Sequence, residues 1–382
     1  MKICHAFPFF SIKFAGGTCD LMYKIAKAQA KAGLQPVILT GTHQYDSELA
    51  ASLEGVEFRV LDSKLDSAGF SIMPELKKTL ENESPRFDAV HMHVFRTYQN
   101  VMLYKYCTRY NIPFVMDAHG AVPYYTRKKG LKKVFDMIWG RKMLRDATRI
   151  VAETEVGVLE YLNIDSKLKK NNVDILSPPF DTDEFQRLPK RGQFRKEWGI
   201  GDDEKVIMFL GRVHHIKGND FLIKGFAEYA NSNPKSRLVI VGPDDGHMED
   251  CKQLAKDLGI SDRVLFAGFL FADKKCSALV DADLVAQMSR SEQGAWAPLE
   301  GVLCGTPCIV TSHTGAGEDV KRLNAGFLVD FDDTKGLADQ FHSIFSDYDS
   351  AKELTMKAKK HIEDKLSMNA RIHEYTALYK TN

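Results

Sequence analysis

The stretch Glu292-Gln293-Gly294-Ala295-Trp296-Ala297-Pro298-Leu299-Glu300-Gly301-Val302-Leu303-Cys304-Gly305-Thr306-Pro307 sets two carboxylates eight positions apart. A Gly/Ala/Pro loop separates them, and an apolar helix-like run closed by Gly305-Thr306-Pro307 follows the second. The preceding residues, Ala282-Asp283-Leu284-Val285-Ala286-Gln287-Met288-Ser289-Arg290-Ser291, read as a buried strand ending in a small polar turn. Together they predict strand, loop and helix, with Glu292 in the loop and Glu300 on the first helical turn. A helix N-terminus offers unpaired amides and a partial positive charge, which suit a diphosphate. A carboxylate beside it can accept from two neighbouring sugar hydroxyls.

Outward from this stretch the same grammar repeats. Pro36–Thr40, Ala89–His93, Pro113–Asp117 and Arg149–Glu153 are short β-like runs, and the series resumes with Val206–Leu210, Arg237–Val241, Arg263–Ala267 and Pro307–Thr311. Amphipathic helical patterns lie between them. Apolar strands alternating with helices imply parallel sheets covered on both faces. The proline-stiffened turn Ser177-Pro178-Pro179 divides the two series. The predicted domains are therefore 1–180, with a C-terminal helix over about 366–382, and 181–365.

Five further elements lie at predicted strand ends. Gly211-Arg212-Val213-His214-His215-Ile216-Lys217-Gly218 brings two cations into one loop. Paired Arg and Lys can stabilise a departing diphosphate without a metal. Asp117-Ala118-His119-Gly120 places a histidine at a strand's carboxyl end. Gly16-Gly17 opens the first helix and lets a ligand approach the backbone. Gly242 and Phe269 occupy the turns after two strands of the second series.

The E-x7-E spacing of Glu292 and Glu300, with the G-R-x-x-x-x-K-G element of Gly211–Gly218, resembles retaining glycosyltransferases of family 4. The resemblance spans nearly the whole chain. It implies a GT-B fold: α/β, two Rossmann-like domains facing across a cleft, the C-terminal helix crossing back to the first. It implies Glu292 on the donor sugar, Glu300 on the ribose hydroxyls, and amides near Leu299 and Glu300 at the diphosphate. Gly16, Gly17, Gly242, Phe269, Gly294, Ala295 and Trp296 would complete the donor site, and His119 would orient the transferred sugar. Arg212 and Lys217 would neutralise the leaving group. A phosphate oxygen of the donor would take the acceptor's proton, so neither a cofactor nor a metal is expected; the nucleotide-diphosphate sugar is the co-substrate. Two departures stand out: His214-His215 inside the cationic loop, and Gln293-Gly294-Ala295-Trp296 where relatives carry Gly-Phe-Gly. Trp296 is bulky, so donor-sugar identity does not transfer. Relatives often carry an H-x-H like His91-Met92-His93 without a metal, and it reads here as structural or acceptor-lining.

Composition bounds the remaining classes. With 44% hydrophobic and 27% charged residues the chain is a soluble globular type, and its net charge of +1 shows no bias toward nucleic acid. Seven scattered cysteines form no C-x-x-C pair, which fits a reducing cytosol. No apolar run reaches the ~18 residues of a membrane span. Between Arg127 and Arg145, however, eight basic residues face one acid. Leu131, Val134, Phe135 and Ile138 form a stripe beside Trp139. Lys128, Lys129, Lys132, Lys133, Trp139 and Arg141 thus suit an anionic membrane surface or a lipid-linked acceptor; a packed amphipathic helix with a solvated basic face accounts for them equally. The expected function is transfer of a sugar to a glycan or lipid-linked acceptor in surface polysaccharide or glycoconjugate assembly, at the cytoplasmic side. The alternatives are a sugar-nucleotide epimerase or hydrolase on the same scaffold, and a non-catalytic partner subunit.

Overall fold

The computed structural model describes residues 1–67, 70–124 and 129–380; Lys128 lies outside them. The chain forms two units, one of Met1–Pro179 with the segment from Met368 onward, the other Phe180–Ser367.

In the first unit the strands are β1 (Lys2–Ala6), β2 (Gln35–Gly41), β3 (Glu57–Leu61), the short pair β4 (Leu65–Ser67) and β5 (Phe70–Ile72), then β6 (Ala89–His93), β7 (Phe114–Asp117), β8 (Arg149–Ala152) and β9 (Val173–Ile175). Seven of them make a parallel sheet in the order β3-β2-β1-β6-β7-β8-β9, and β4 and β5 pair antiparallel. The chain winds outward from β1 in one direction, returns, and continues from β6 in the other. β1 and β6, aligned with His5 opposite His91, therefore mark the reversal. The last helix, Met368–Ala377, packs on the helix Gly17–Lys31 within this unit. Its Arg371 donates to the Ser177 carbonyl at 2.7 Å.

The second unit contains β10 (Lys205–Leu210), β11 (Ser236–Val241), β12 (Val264–Gly268), β13 (Leu284–Gln287), β14 (Cys308–Thr311) and β15 (Phe327–Val329). They form one parallel sheet ordered β12-β11-β10-β13-β14-β15. This is the doubly wound Rossmann order, whose crevice opens outside the carboxyl ends of the two central strands, here β10 and β13. The central strands read as unbroken apolar runs because helices cover both faces: Val206 through Phe209 and Leu284 through Ala286 are all buried. Each such Val, Leu or Ile contributes about 1.5–3 kcal/mol.

Candidate donor site

The reversal between β10 and β13 brings together the two loops singled out by the sequence. After β10, Gly211 to Gly218 turns through a short 3-10 helix, His215–Lys217. After β13, Met288 to Ala295 leads into the helix Trp296–Leu303. Arg290 joins the loops. Its amide donates to Ile216 O at 2.8 Å, and its guanidinium donates to His215 O at 2.7 Å. The same guanidinium grips both carboxylate oxygens of Asp220 at 2.8 and 2.6 Å. Gly218 allows the close approach: its φ is +65°, and a Cβ there would lie 1.8 Å from the Met288 carbonyl oxygen. The His214 ring accepts from the Ile216 amide at 3.1 Å, so this departure from the family pattern caps its own turn.

Glu292 sits at the centre of the joined loops. Its Oε2 takes the Lys217 ammonium, Gln287 Nε2 at 2.6 Å and the Ser289 hydroxyl at 3.3 Å. Its Oε1 has no hydrogen-bond partner among the described residues. The Glu292 carbonyl accepts from the Gly315 amide at 2.8 Å, which anchors the loop to the next helix. One oxygen is thus immobilised by a cation and two neutral donors, leaving the other to accept from a hydroxyl. Gln287, Ser289 and Arg290 carried no assigned role in the sequence; the only available signal was their place at the end of a buried strand.

Glu300 lies one turn further into the helix than expected. The helix begins at Trp296, so Glu300 is its fifth residue. Pro298 falls within the first turn, where its missing N–H removes no intrahelical bond. The Leu299 amide, expected at a diphosphate, donates to the Ala295 carbonyl at 2.9 Å. The first-turn amides are those of Trp296 and Ala297. The Ala295 amide donates to Asp319 at 3.3 Å, and Gly294 and Ala295 are buried. The Trp296 ring lies 6.3 Å from that of Phe180. Glu300 Oε1 pairs with Lys275 Nζ at 2.7 Å, a partner invisible in the sequence because it comes from the helix Asp273–Asp281.

Arg212 is more exposed and pairs with Asp245 across neighbouring strand ends. Gly242 packs against the Gly211 carbonyl, its amide donating to Gly268 O at 2.8 Å. Phe269, 40% exposed, lies parallel to Phe271 with ring centres 6.5 Å apart.

The remaining expected residues belong to the first unit. Gly16 (φ +63°) caps the helix that starts at Gly17, and a methyl at either glycine would meet open space. His119 lies two residues beyond β7, with φ +46° and a buried ring, its Nε2 2.9 Å from His93 Nδ1 and its Nδ1 3.2 Å from Asp117 Oδ1. Both ring nitrogens are engaged within the unit. His5, His91 and His93, and His93, Asp117 and His119, are compact enough to suggest a metal. In the first group the rings of His91 and His93 stack 4.1 Å apart at 18°, so their in-plane lone pairs run side by side, and in the second His93 Nδ1 and His119 Nε2 are hydrogen-bonded to each other at 2.9 Å.

The basic segment resolves into the helix Lys129–Phe135, a π turn over Asp136–Gly140 and the helix Arg141–Asp146. The stripe divides. Phe135 is buried and Trp139 packs on the core, whereas Leu131, Val134, Met137 and Ile138 face outward, Met137 at 69% exposure. Lys129, Lys133 and Arg141 are exposed on the same segment, and Lys132 is half-buried, donating to the Pro123 carbonyl at 3.3 Å. Asp136 pins the π turn through Arg96 at 2.9 and 2.7 Å. No helix among the described residues is long and apolar enough to cross a membrane.

Two parallel-sheet Rossmann-like units in one chain define the GT-B class. Its solved members include HepE of Anabaena, crystallised with UDP and glucose, at TM-score 0.80, 17% identity and 99% coverage of both chains. Sucrose-phosphate synthase of Thermosynechococcus elongatus aligns at TM-score 0.77 and 18% identity, covering 99% of this chain and 98% of that one. The family model Glycosyltransferase Family 4 matches residues 15–184, and that of Glycosyl transferases group 1 matches residues 190–361. The chain belongs to these family 4 glycosyltransferases. A D-inositol 3-phosphate glycosyltransferase of Rhodococcus jostii is 26% identical over 374 residues, covering 92% of this chain and 81% of that protein. The N-acetyl-alpha-D-glucosaminyl L-malate synthase of Bacillus anthracis is 30% identical over 189 residues, about half of each chain.

Proposed function

We propose that this glycosyltransferase moves a sugar, with retention of anomeric configuration and without a metal, from a nucleotide-diphosphate sugar to a glycan or lipid-linked acceptor. The observation that carries the reading is the fixed Lys217–Glu292 pair at the reversal between β10 and β13. Lys217 puts a cation where negative charge grows on the diphosphate as the glycosidic bond breaks, and Glu292 Oε1 accepts from a hydroxyl of the transferred sugar. Arg212 adds a second positive charge, and Glu300, held by Lys275, takes the ribose hydroxyls. The acceptor hydroxyl attacks the anomeric carbon from the face the diphosphate leaves, giving its proton to a donor phosphate oxygen. No side-chain nucleophile is required. With a panel of nucleoside-diphosphate sugars and acceptors, product NMR should show the donor's anomeric configuration retained and the rate unchanged by excess EDTA. An inverted product refutes retention, and loss of activity restored by a divalent cation refutes metal independence. Conversion of a sugar nucleotide with no acceptor present would favour the epimerase or hydrolase.

The outward apolar face at Leu131, Val134, Met137 and Ile138, flanked by Lys129, Lys133 and Arg141, supports seating on an anionic membrane, in keeping with a lipid-linked acceptor in surface polysaccharide or glycoconjugate assembly. Sedimentation with vesicles containing anionic lipid should retain the wild type and lose the Leu131→Ser/Met137→Ser variant by about tenfold or more, as expected for removing two large apolar side chains. Equal retention of both, or equal binding to neutral vesicles, contradicts the docking.

A further inference from the structure

In the first unit three buried histidines form a hydrogen-bonded line that ends against a carboxylate. Gln29 Oε1 lies 2.7 Å from His5 Nε2, and His5 Nδ1 lies 3.0 Å from His93 Nε2. His93 Nδ1 lies 2.9 Å from His119 Nε2, and His119 Nδ1 lies 3.2 Å from Asp117 Oδ1. The line has three hydrogen bonds and, at its Asp117 end, a fourth close nitrogen–oxygen contact, and at each of the four one hydrogen is needed to keep two lone pairs from facing each other. Its ends, an amide oxygen and a carboxylate, only accept, and three neutral imidazoles carry one N–H each. Three hydrogens serve four contacts, so the arrangement is one proton short. Leaving two lone pairs opposed in a dry interior is costly.

Turning the Gln29 amide would relieve the shortage at that end, but a second set of contacts opposes it. Gln29 Nε2 donates to Tyr379 Oη at 3.0 Å, which leaves the Tyr379 hydroxyl to donate to His91 Nδ1 at 2.9 Å. His91 then carries its hydrogen on Nε2, a buried atom without a hydrogen-bond partner that faces Asp117 Oδ2 at 3.8 Å. With the amide turned, Tyr379 donates to Gln29 and His91 must carry its hydrogen on Nδ1. A bare Nε2 lone pair then points toward the carboxylate. The two arrangements differ by one proton and by the direction of every hydrogen bond from Asp117 to Tyr379.

We infer that Asp117, His119, His93 and His5 hold one shared proton as a unit, and that gaining or losing it reverses the hydrogen-bond direction along the whole line. His5, His93 and Gln29 are positioning residues: they set which nitrogen of His119 carries hydrogen. Their part in catalysis rests on the proposed function together with the role that the family resemblance implies for His119, orienting the transferred sugar. The other titratable groups facing the line are His91 from β6, Tyr161 from the helix Glu155–Ile164, and Tyr375 and Tyr379 from the C-terminal segment. Burial holds all three tyrosines neutral. It also raises Asp117 and lowers the rings, which draws the shared proton toward the Asp117 end.

The test is two-bond 1H–15N NMR of histidine-labelled full-length protein between pH 5 and 9. His5, His93 and His119 should change tautomer together at one midpoint. Gln29→Glu, an acceptor-only end that cannot turn, should raise that midpoint by about one pH unit or more. Separate midpoints for the three rings, or an unmoved midpoint in a folded Gln29→Glu protein, overturn the shared proton. If that variant fails to fold, the wild-type spectra alone decide. The pH profile of kcat/KM should shift with the NMR midpoint. A common midpoint with an unshifted profile leaves the shared proton standing and removes His119 from the reaction.

Discussion

Lys217→Ala should lower kcat by about 10²–10³-fold while changing KM little, as is typical when a preorganised charge at the leaving group is lost. The ammonium has two tasks that alanine removes together. It pins Glu292 Oε2, and it sets a positive charge at the mouth of the β10–β13 reversal. Gln287 and Ser289 still hold Glu292 in the variant, so the loop keeps its shape and the protein its fold. Lys217→Arg should recover part of the rate, since the charge returns on a bulkier, planar group. Steady-state kinetics of the two variants provide the check. A Lys217→Ala enzyme within threefold of wild type would remove Lys217 from the leaving-group role.

The second large effect is on stability. Burial lowers His5 and His91 from 6.5 to about 3, and both rings are fully enclosed. Near pH 8 neither the folded nor the unfolded chain protonates them, and they contribute nothing. As pH falls below 6.5 the unfolded chain takes up two protons that the folded protein refuses, until pH approaches 3. Proton uptake by the unfolded state alone lowers stability as pH drops. Two groups remove at most about 3 kcal/mol per pH unit, approached below pH 6. Between pH 6.5 and 5 the loss is then about 3 kcal/mol, a large share of an ordinary domain's 5–15 kcal/mol. His93, shifted in the same direction, steepens the fall, and the proton that the folded protein takes up at the Asp117 end, where burial raises the carboxyl, offsets part of it. Thermal melts of wild type and His91→Gln across this range check it. The wild type should lose melting temperature steeply below pH 6.5, and the variant less so. A flat wild-type profile down to pH 5 contradicts the burial of neutral rings.

The fold was legible because fully buried strands leave no polar alternation: runs such as Val206–Leu210 and Arg237–Val241 announce parallel strands by themselves. The meeting of Lys217 and Glu292 was legible from their places on loops after the two central strands, β10 and β13, which the doubly wound order makes neighbours. Pro298 misled the helix start. A proline looks like a boundary, yet in a first turn it costs nothing, so Glu300 moved a turn inward and the Leu299 amide was consumed by the helix. Lys275 and the line through His5, Gln29, His93 and Tyr379 were illegible for another reason. Their partners lie far apart in the chain, and only sheet order and the placement of the last helix bring them together. The amphipathic stripe divides at Phe135, which turns into the core while Leu131, Val134 and Ile138 stay outward, a split that the spacing alone does not reveal.

The claim on which the rest depends is that the second unit binds a nucleoside diphosphate through Glu300 and the β10–β13 loops. Calorimetric titration of UDP, GDP and ADP into the wild type and Glu300→Ala tests it most directly. One nucleotide should bind the wild type selectively, and the variant should bind it about 10- to 150-fold more weakly, the equivalent of losing about 1.5–3 kcal/mol of hydrogen bonding to a charged group. No binding of any nucleotide at millimolar concentration, or unaltered affinity in Glu300→Ala, would contradict the account.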